Sequence, residues 1–309
     1  MHLGLIGLGK MGGNMRERLR EHDVTVTGYD RDASVSDVGS VAELVEALPS
    51  PKVVWVMVPA GEPTRATIAE LAELLGEGDI VVDGGNSRWT DDLEHAEQLK
   101  AQGIGYLDCG VSGGIWGREN GYALMVGGEA SDVATVQPVF DALRPDAGDS
   151  ANATGGFVHA GKVGSGHFAK MVHNGVEYAM MQAYAEGFEL LEKTDLVDDV
   201  PAVLDSWREG TVVRSWLLDL LVQALEEDPG LSKIRGYADD SGEGRWTVEA
   251  AIEHAVPMHT IAASLFARFQ SRQDESPAMQ AVAAMRQQFG GHAVRAAQEP
   301  GTGEPPSAD

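Results

Sequence analysis

The chain is poor in cysteine and lysine: of its 309 residues, only Cys109 is a cysteine, and seven are lysines. A single cysteine excludes an intramolecular disulfide and fits a reducing cytoplasm. Long apolar runs are missing too; residues 53–59 form one of the longest, far short of the roughly 20 residues a bilayer span needs. No basic stretch with a cleavage site precedes the first strand-like run, so neither an export leader nor a membrane partner is expected. Cationic charge is scarce against 48 acidic residues, and the formal net charge is −25. With no surplus of lysine and arginine to displace phosphate counterions, nucleic acid is strongly disfavoured as a partner. Such self-repulsion is screened by salt, so the acidic surface is expected to suit a salty cytoplasm.

What is present is a globular composition, 43% hydrophobic, long enough for two domains. Apolar runs at residues 2–8, 24–29, 53–58 and 79–82 predict buried parallel strands. Helical patterns at 11–21, 41–48, 62–75 and 90–102 fall between them, which predicts a doubly wound α/β sheet. Further strands are expected at 105–109, 123–126 and 157–160, with a helix over 133–143. Beyond residue 161 the segments are rich in Ala, Leu and Met and helical in period. The expected architecture is therefore an N-terminal dinucleotide-binding domain of the Rossmann type, residues 1–160. An all-helical substrate and dimerisation domain, 161–297, follows it. The Pro/Gly-rich end, 298–309, is expected to be disordered.

"GLIGLGKMGGNM" places Gly7, Gly9 and Gly12 in a G-x-G-x-x-G between strand and helix. These glycines permit a tight turn, backbone approach to a pyrophosphate and close helix–strand packing. The helix N-terminus offers unpaired N–H groups to the phosphates. Asp30 ends the second strand, where a carboxylate can accept hydrogen bonds from both adenosine ribose hydroxyls and repel a 2′-phosphate. NAD is favoured over NADP, although Arg31 beside it could serve a 2′-phosphate, and Asp30 could instead be a solvated turn residue.

"GHFAKMVHNGVEY", residues 166–178, is the second informative stretch. On a helix, Lys170, His173, Asn174, Glu177 and Tyr178 fall within an arc of about 140°. Residues 168, 169, 172, 176, 179 and 180 take the other side, which is expected to face a core. A solvated stripe usually mixes Glu, Lys, Arg and Gln, whereas His, Asn and Tyr together are poor helix formers with specific hydrogen-bonding geometry. A base, an amide, a carboxyl and a phenol on one face suit a polyhydroxylated substrate beside a nicotinamide. Lysine needs desolvation or a nearby positive charge to act as a base.

Together with "VVDGGNS", "DCGVSGG", "SGEGRWT", "FAR" and "RQQFGGH", these motifs resemble the 6-phosphogluconate dehydrogenases. The match is to the shorter, NAD-preferring branch of that family, within the β-hydroxyacid dehydrogenase superfamily, and runs from residue 1 to about 294. The resemblance implies oxidative decarboxylation of 6-phospho-D-gluconate to D-ribulose 5-phosphate and CO2, in the oxidative pentose phosphate pathway, with NAD and no metal. It implies that Lys170 takes the proton of the C3 hydroxyl and then stabilises the charge on that oxygen. Glu177 would protonate C1 of the enediol. Ser112, Gly113 and Gly114 would receive the substrate carboxylate, and Asn86 would lie between substrate and nicotinamide. His173 and Asn174 would contact substrate hydroxyls, and Met11 would pack beside the nicotinamide. Tyr178 and Arg268 align with phosphate ligands. Arg286 and His292 match residues that reach into the neighbouring subunit's site, which implies a homodimer and leaves a dimer of dimers open. His254 and His259 lack the spacing and the third partner of a metal site and read as structural.

The chain also departs from the family pattern. Ser241 and Glu243 stand where longer members carry a phosphate-binding lysine and threonine, so Glu243 is expected to point away or to bind a neighbouring group. Pro59 replaces a lysine of the longer forms, and their duplicated helical domain is missing. Two rivals share the scaffold: a 3-hydroxyisobutyrate-type dehydrogenase that does not decarboxylate, and a non-catalytic nucleotide sensor.

Overall fold

β3 (Val53–Val56) reads VVWV and all four of its residues are buried, as a strand covered on both faces requires. Alternation along it divides the core in two. Val53 and Trp55 pack with Leu3, Leu5, Leu107 and Phe140, whereas Val54 and Val56 pack with Leu44, Ile68, Leu71 and Leu99. The computed structural model describes residues 1–146, 155–291 and 293–295, so His292 and the stretch 298–309 lie outside the described residues.

β1 (His2–Ile6), β2 (Thr25–Tyr29), β4 (Ile80–Asp83), β5 (Gly105–Ser112), β6 (Ala123–Gly127) and β7 (Phe157–Gly161) complete a seven-stranded sheet in the order β2-β1-β3-β4-β5-β6-β7. All neighbours are parallel except β5 and β6. Helices α1 (Lys10–Glu21) and α6 (Ala130–Leu143) supply buried residues to one core cluster. The other takes them from α2 (Val41–Glu46), α3 (Glu62–Leu74) and α4 (Trp89–Lys100). A short helix, α5 (Gly117–Asn120), lies between β5 and β6. The predicted doubly wound sheet is therefore present. β5 runs three residues past the expected end at 109, because its partner β6 pairs it through Ser112. Strand order reverses around β1, between β2 and β3, which opens a crevice at the carboxyl ends of the strands.

The remaining elements are helical, as expected: α7 (Ser165–Glu192), α8 (Val200–Ser206), α9 (Trp216–Glu227), α10 (Glu243–Glu253), α11 (His259–Ser271) and α12 (Pro277–Gly290). Compact units do not follow the change of pattern at residue 161. One contains Met1–Met181 with Ser241–Ala262, and the other Gln182–Asp240 with Ala263–Asp309. The first half of α7 and all of α10 thus belong with the sheet, because glycines let them approach closely. The second unit has its own core of Val200, Leu204, Leu218, Val222 and Leu225, joined by Tyr184, Phe188 and Leu191 of α7.

The expected core face of α7 needs correction. Val176 and Met180 are exposed, and the buried stripe is Gly166, His167, Met171, Gly175 and Tyr178. Apolar character alone did not mark the inner face, because this helix buries a histidine, two glycines and a tyrosine. Among the described residues, no helix is long and apolar enough to cross a membrane.

Candidate active site

A cleft of about 630 Å³ opens at the strand-order reversal, lined by Gly7, Gly9, Gly12, Asp30, Asn86 and Lys170 among others. Met11 lines it too. Its geometry fits a dinucleotide. A Cβ on Gly12 would sit 2.0 Å from the Gly7 carbonyl oxygen, so α1 can start only against a bare backbone. At Gly9, by contrast, a Cβ would meet nothing within 4 Å, and no side chain caps α1. The first-turn N–H groups of α1 are left for an anion. Asp30 accepts the Leu8 N–H at 2.6 Å and the Asp32 N–H at 2.9 Å. Each of its oxygens keeps a lone pair for a further donor. Arg31 lines the same cleft and is exposed.

Lys170 reaches this cleft because α7 is anchored at its start. Asp108, fully buried on β5, accepts the Gly164 N–H at 2.7 Å and the His167 N–H at 2.9 Å, a carboxylate at a helix N-terminus. One turn later the Lys170 stem lies on Gly110, where an added Cβ would come within 2.3 Å of the lysine Cβ. The ammonium donates to Asn86 Oδ1 at 2.5 Å and to Glu243 Oε1 at 2.8 Å. Asn86 is held in turn: Asp83, at the end of β4, accepts from Gly85 N–H at 3.0 Å and from the Ser87 hydroxyl at 2.6 Å.

Glu243 opens α10 and is 3% exposed. Asn174 Nδ2 donates to its Oε1 at 2.8 Å, and the Ser241 hydroxyl to its Oε2 at 2.5 Å. Burial pushes the Glu243 carboxyl up, but the Lys170 charge and the hydrogen bonds from Lys170 and Ser241 outweigh it and hold the group below its ordinary range. Helix α10 gets this close to α7 through Gly175, whose Cβ would strike Thr247, and Gly244, whose Cβ would strike Tyr178. Of the two expectations for Glu243, binding a neighbouring group is the one observed, and that group is Lys170. Glycines on either side of an acid at a helix start were the available signal.

A second group behind the site was not read from the sequence. His167 donates through Nδ1 to Asp92 at 2.8 Å, and Asp92 also accepts the Tyr106 hydroxyl at 2.8 Å. Burial opposes the imidazolium, but Asp92, Asp83 and Asp108 raise its pKa to about 9. Burial likewise raises Asp92 to about 6, against the pull of His167. Ligand-type atoms of Asp83, Asp92 and His167 lie within 4.8 Å of one another, and these atoms already serve hydrogen bonds from Ser87, Tyr106 and His167.

The other expected residues divide. Asn174 joins Lys170 through Glu243. His173 is exposed, and its Nδ1 meets the neighbouring Asn174 Oδ1 at 3.0 Å. Tyr178 is buried; its hydroxyl accepts the Ser241 N–H at 3.1 Å. Glu177 is half-buried and forms no hydrogen bond or ion pair among the described residues. Ser112 closes β5, and Gly113 and Gly114 take φ of 144° and 55° in the turn after it. In the second unit, Arg268 donates to the Asp239 carbonyl at 2.9 Å, and Arg286 is exposed on α12.

Comparison with known proteins completes the picture. Residues 2–145 match the family described as the NAD binding domain of 6-phosphogluconate dehydrogenase, and 166–302 match that enzyme's C-terminal domain. The chain is 42% identical to the Haloferax volcanii protein named 6-phosphogluconate dehydrogenase, NAD(+)-dependent, decarboxylating, over 95% of this chain and 98% of that one. The Plasmodium falciparum 6-phosphogluconate dehydrogenase, solved alone, with NADP+ and with 6-phosphogluconate, is 26% identical with a TM-score of 0.81, over 97% of this chain and 67% of its own. A 3-hydroxyisobutyrate dehydrogenase of Mycobacterium tuberculosis shares the fold at 22% identity and a TM-score of 0.69, over 88% and 94%. With a dinucleotide cleft at the strand reversal, a lysine at its edge and a match along both of its parts, this chain belongs to the 6-phosphogluconate dehydrogenase family.

Proposed function

We propose that the protein converts 6-phospho-D-gluconate to D-ribulose 5-phosphate and CO2 with NAD as the electron acceptor. The observation that carries this reading is Lys170 Nζ, held by Asn86 and Glu243 at the edge of the dinucleotide cleft with one position left to face a substrate. When bound, the nicotinamide supplies a two-electron acceptor for C3 of the substrate. Lys170 Nζ takes the C3 hydroxyl proton and then faces the oxygen on which charge develops as the carboxylate leaves as CO2. Glu177, with no partner of its own among the described residues, protonates C1. Ser112, Gly113 and Gly114 receive the substrate carboxylate, His173 and Asn174 its hydroxyls, and Tyr178 and Arg268 its phosphate. Asp30 binds the adenosine ribose and repels a 2′-phosphate, which favours NAD over NADP despite Arg31.

The same reading makes the protein a homodimer in which Arg286 and His292 serve the neighbouring site. Support comes from α12, which buries no residue and leaves Phe289 94% exposed. A helix of this length is marginal in water without a surface to pack on. Leu190 and Met180 on α7 are exposed as well. The single buried cysteine fits a cytoplasmic setting.

Reduced-nicotinamide absorbance with 6-phosphogluconate, run with NAD and with NADP while CO2 is trapped, tests the proposal. NAD reduction with matching CO2 release is expected. Reduction without CO2 would move the protein to the non-decarboxylating dehydrogenases, and faster reaction with NADP would overturn the role given to Asp30.

A further inference from the structure

Glu243 creates a chemical difficulty for a lysine base. A carboxylate 2.8 Å from Nζ stabilises the ammonium, and an ammonium cannot accept a proton. The carboxylate is built to stay: it is nearly fully buried at the first turn of α10 and takes hydrogen bonds from Lys170, Asn174 and Ser241. We infer that Glu243 is a positioning residue and proton-relay partner for Lys170: as Nζ takes the C3 hydroxyl proton, it passes one of its own to Glu243 Oε1.

The step balances. One O–H bond breaks at C3 and one forms at Glu243, while the lysine keeps three hydrogens. The C3–H electron pair leaves with its hydrogen for the cofactor, so C3 is oxidised to the ketone. After the C–C bond breaks and CO2 departs, its electron pair generates an enolate. The proton then returns from Glu243 through Nζ to the enolate oxygen. Lys170 stays cationic throughout, which is the form that stabilises that oxygen.

The surroundings give each lysine hydrogen a place. Asn86 fixes one lysine hydrogen and Glu243 another, so the third is the one placed for substrate. Other titratable groups nearby are Tyr178, whose hydroxyl meets Ser241, and Glu177 and His173 on flanking turns of α7. The His167–Asp92 pair lies a turn before Lys170, with Asp83 and Asp108 at its back. This inference rests on the proposed function, and its test separates the two.

In Glu243→Gln, which keeps size and polarity but cannot take the proton, kcat should fall about 100-fold or more with KM changed less than about threefold. The acid limb of kcat/KM should move to higher pH, because the lysine must then be neutral to act. Glu243→Asp should recover at least about tenfold of the loss and restore the limb. Wild-type kcat and an unmoved limb in Glu243→Gln would overturn the relay. A second readout needs no turnover: the ε-13C resonance of Lys170, assigned by Lys170→Arg among the seven labelled lysines, should move at fixed pH in Glu243→Gln, because the contact with Oε1 is changed. An unmoved resonance would overturn the pairing. Absence of any 6-phosphogluconate oxidation by wild type would sink the proposed function instead, with the resonance still deciding the pair.

Discussion

His167 lies one turn before Lys170, 2% exposed, with its Nδ1–H on a fully buried Asp92. Its pKa in the folded protein is raised to about 9 from 6.5. A raised pKa means that the folded state holds the proton more tightly, so this stabilisation is complete below about pH 6.5 and lost as pH rises through 9. Asp92, raised to about 6, adds a decline of the same sign at lower pH. Denaturant unfolding from neutral pH to pH 10 should therefore show stability falling by an amount on the order of a few kcal/mol. His167→Asn should flatten that slope, and an equally steep slope in the variant would remove His167 as its source. Nothing in the sequence marked this histidine, since its partners Asp92 on α4 and Asp108 on β5 are 75 and 59 residues away.

Helix α7 was legible as a helix with a polar face, and Lys170 and Asn174 do share one carboxylate partner. Which side turns inward was not legible, because packing here is set by small residues on neighbouring elements. Gly110 on β5 is the sharpest case, with an added Cβ only 2.3 Å from the Lys170 Cβ. Neither atom is the far end of a flexible side chain, so α7 itself must move. Gly110→Ala should cost about 1–3 kcal/mol of stability, as overpacking does. It should also lower kcat by more than this stability loss explains, because the Lys170–Asn86 bond is displaced. A melting curve and kcat measured together decide it: full activity with an unchanged melt would contradict the packing.

Across the whole molecule, the excess of 48 acidic over 23 basic residues remains the dominant surface property. Repulsion of this size is screened within about 3 Å at molar salt, against about 30 Å at 0.01 M. The melting temperature should rise between those conditions, and a flat response would show that the charge is already compensated. The proposed shared site makes a separate prediction. Lys170→Ala and Arg286→Ala chains, each inactive alone, should regain activity when mixed, denatured and refolded together, because some hybrid sites hold both residues. No recovery in hybrids shown to form would argue that each site is made by one chain.

The sequence by itself determined the periodicities, and with them the strand–helix alternation, the glycine loop of the dinucleotide cleft and the helical second half. These depend on residues near one another in the chain, where spacing alone fixes which side chains share a face. Family motifs carried Lys170 and Asn86 as well. Only the tertiary structure decided what Lys170 bonds, because Glu243 lies 73 residues away and Asn86 84. It also turned Glu243 inward, since burial of a carboxylate is stable only where an ammonium, an amide and a hydroxyl converge on it. Such convergence is a property of packed helices and has no local period to betray it.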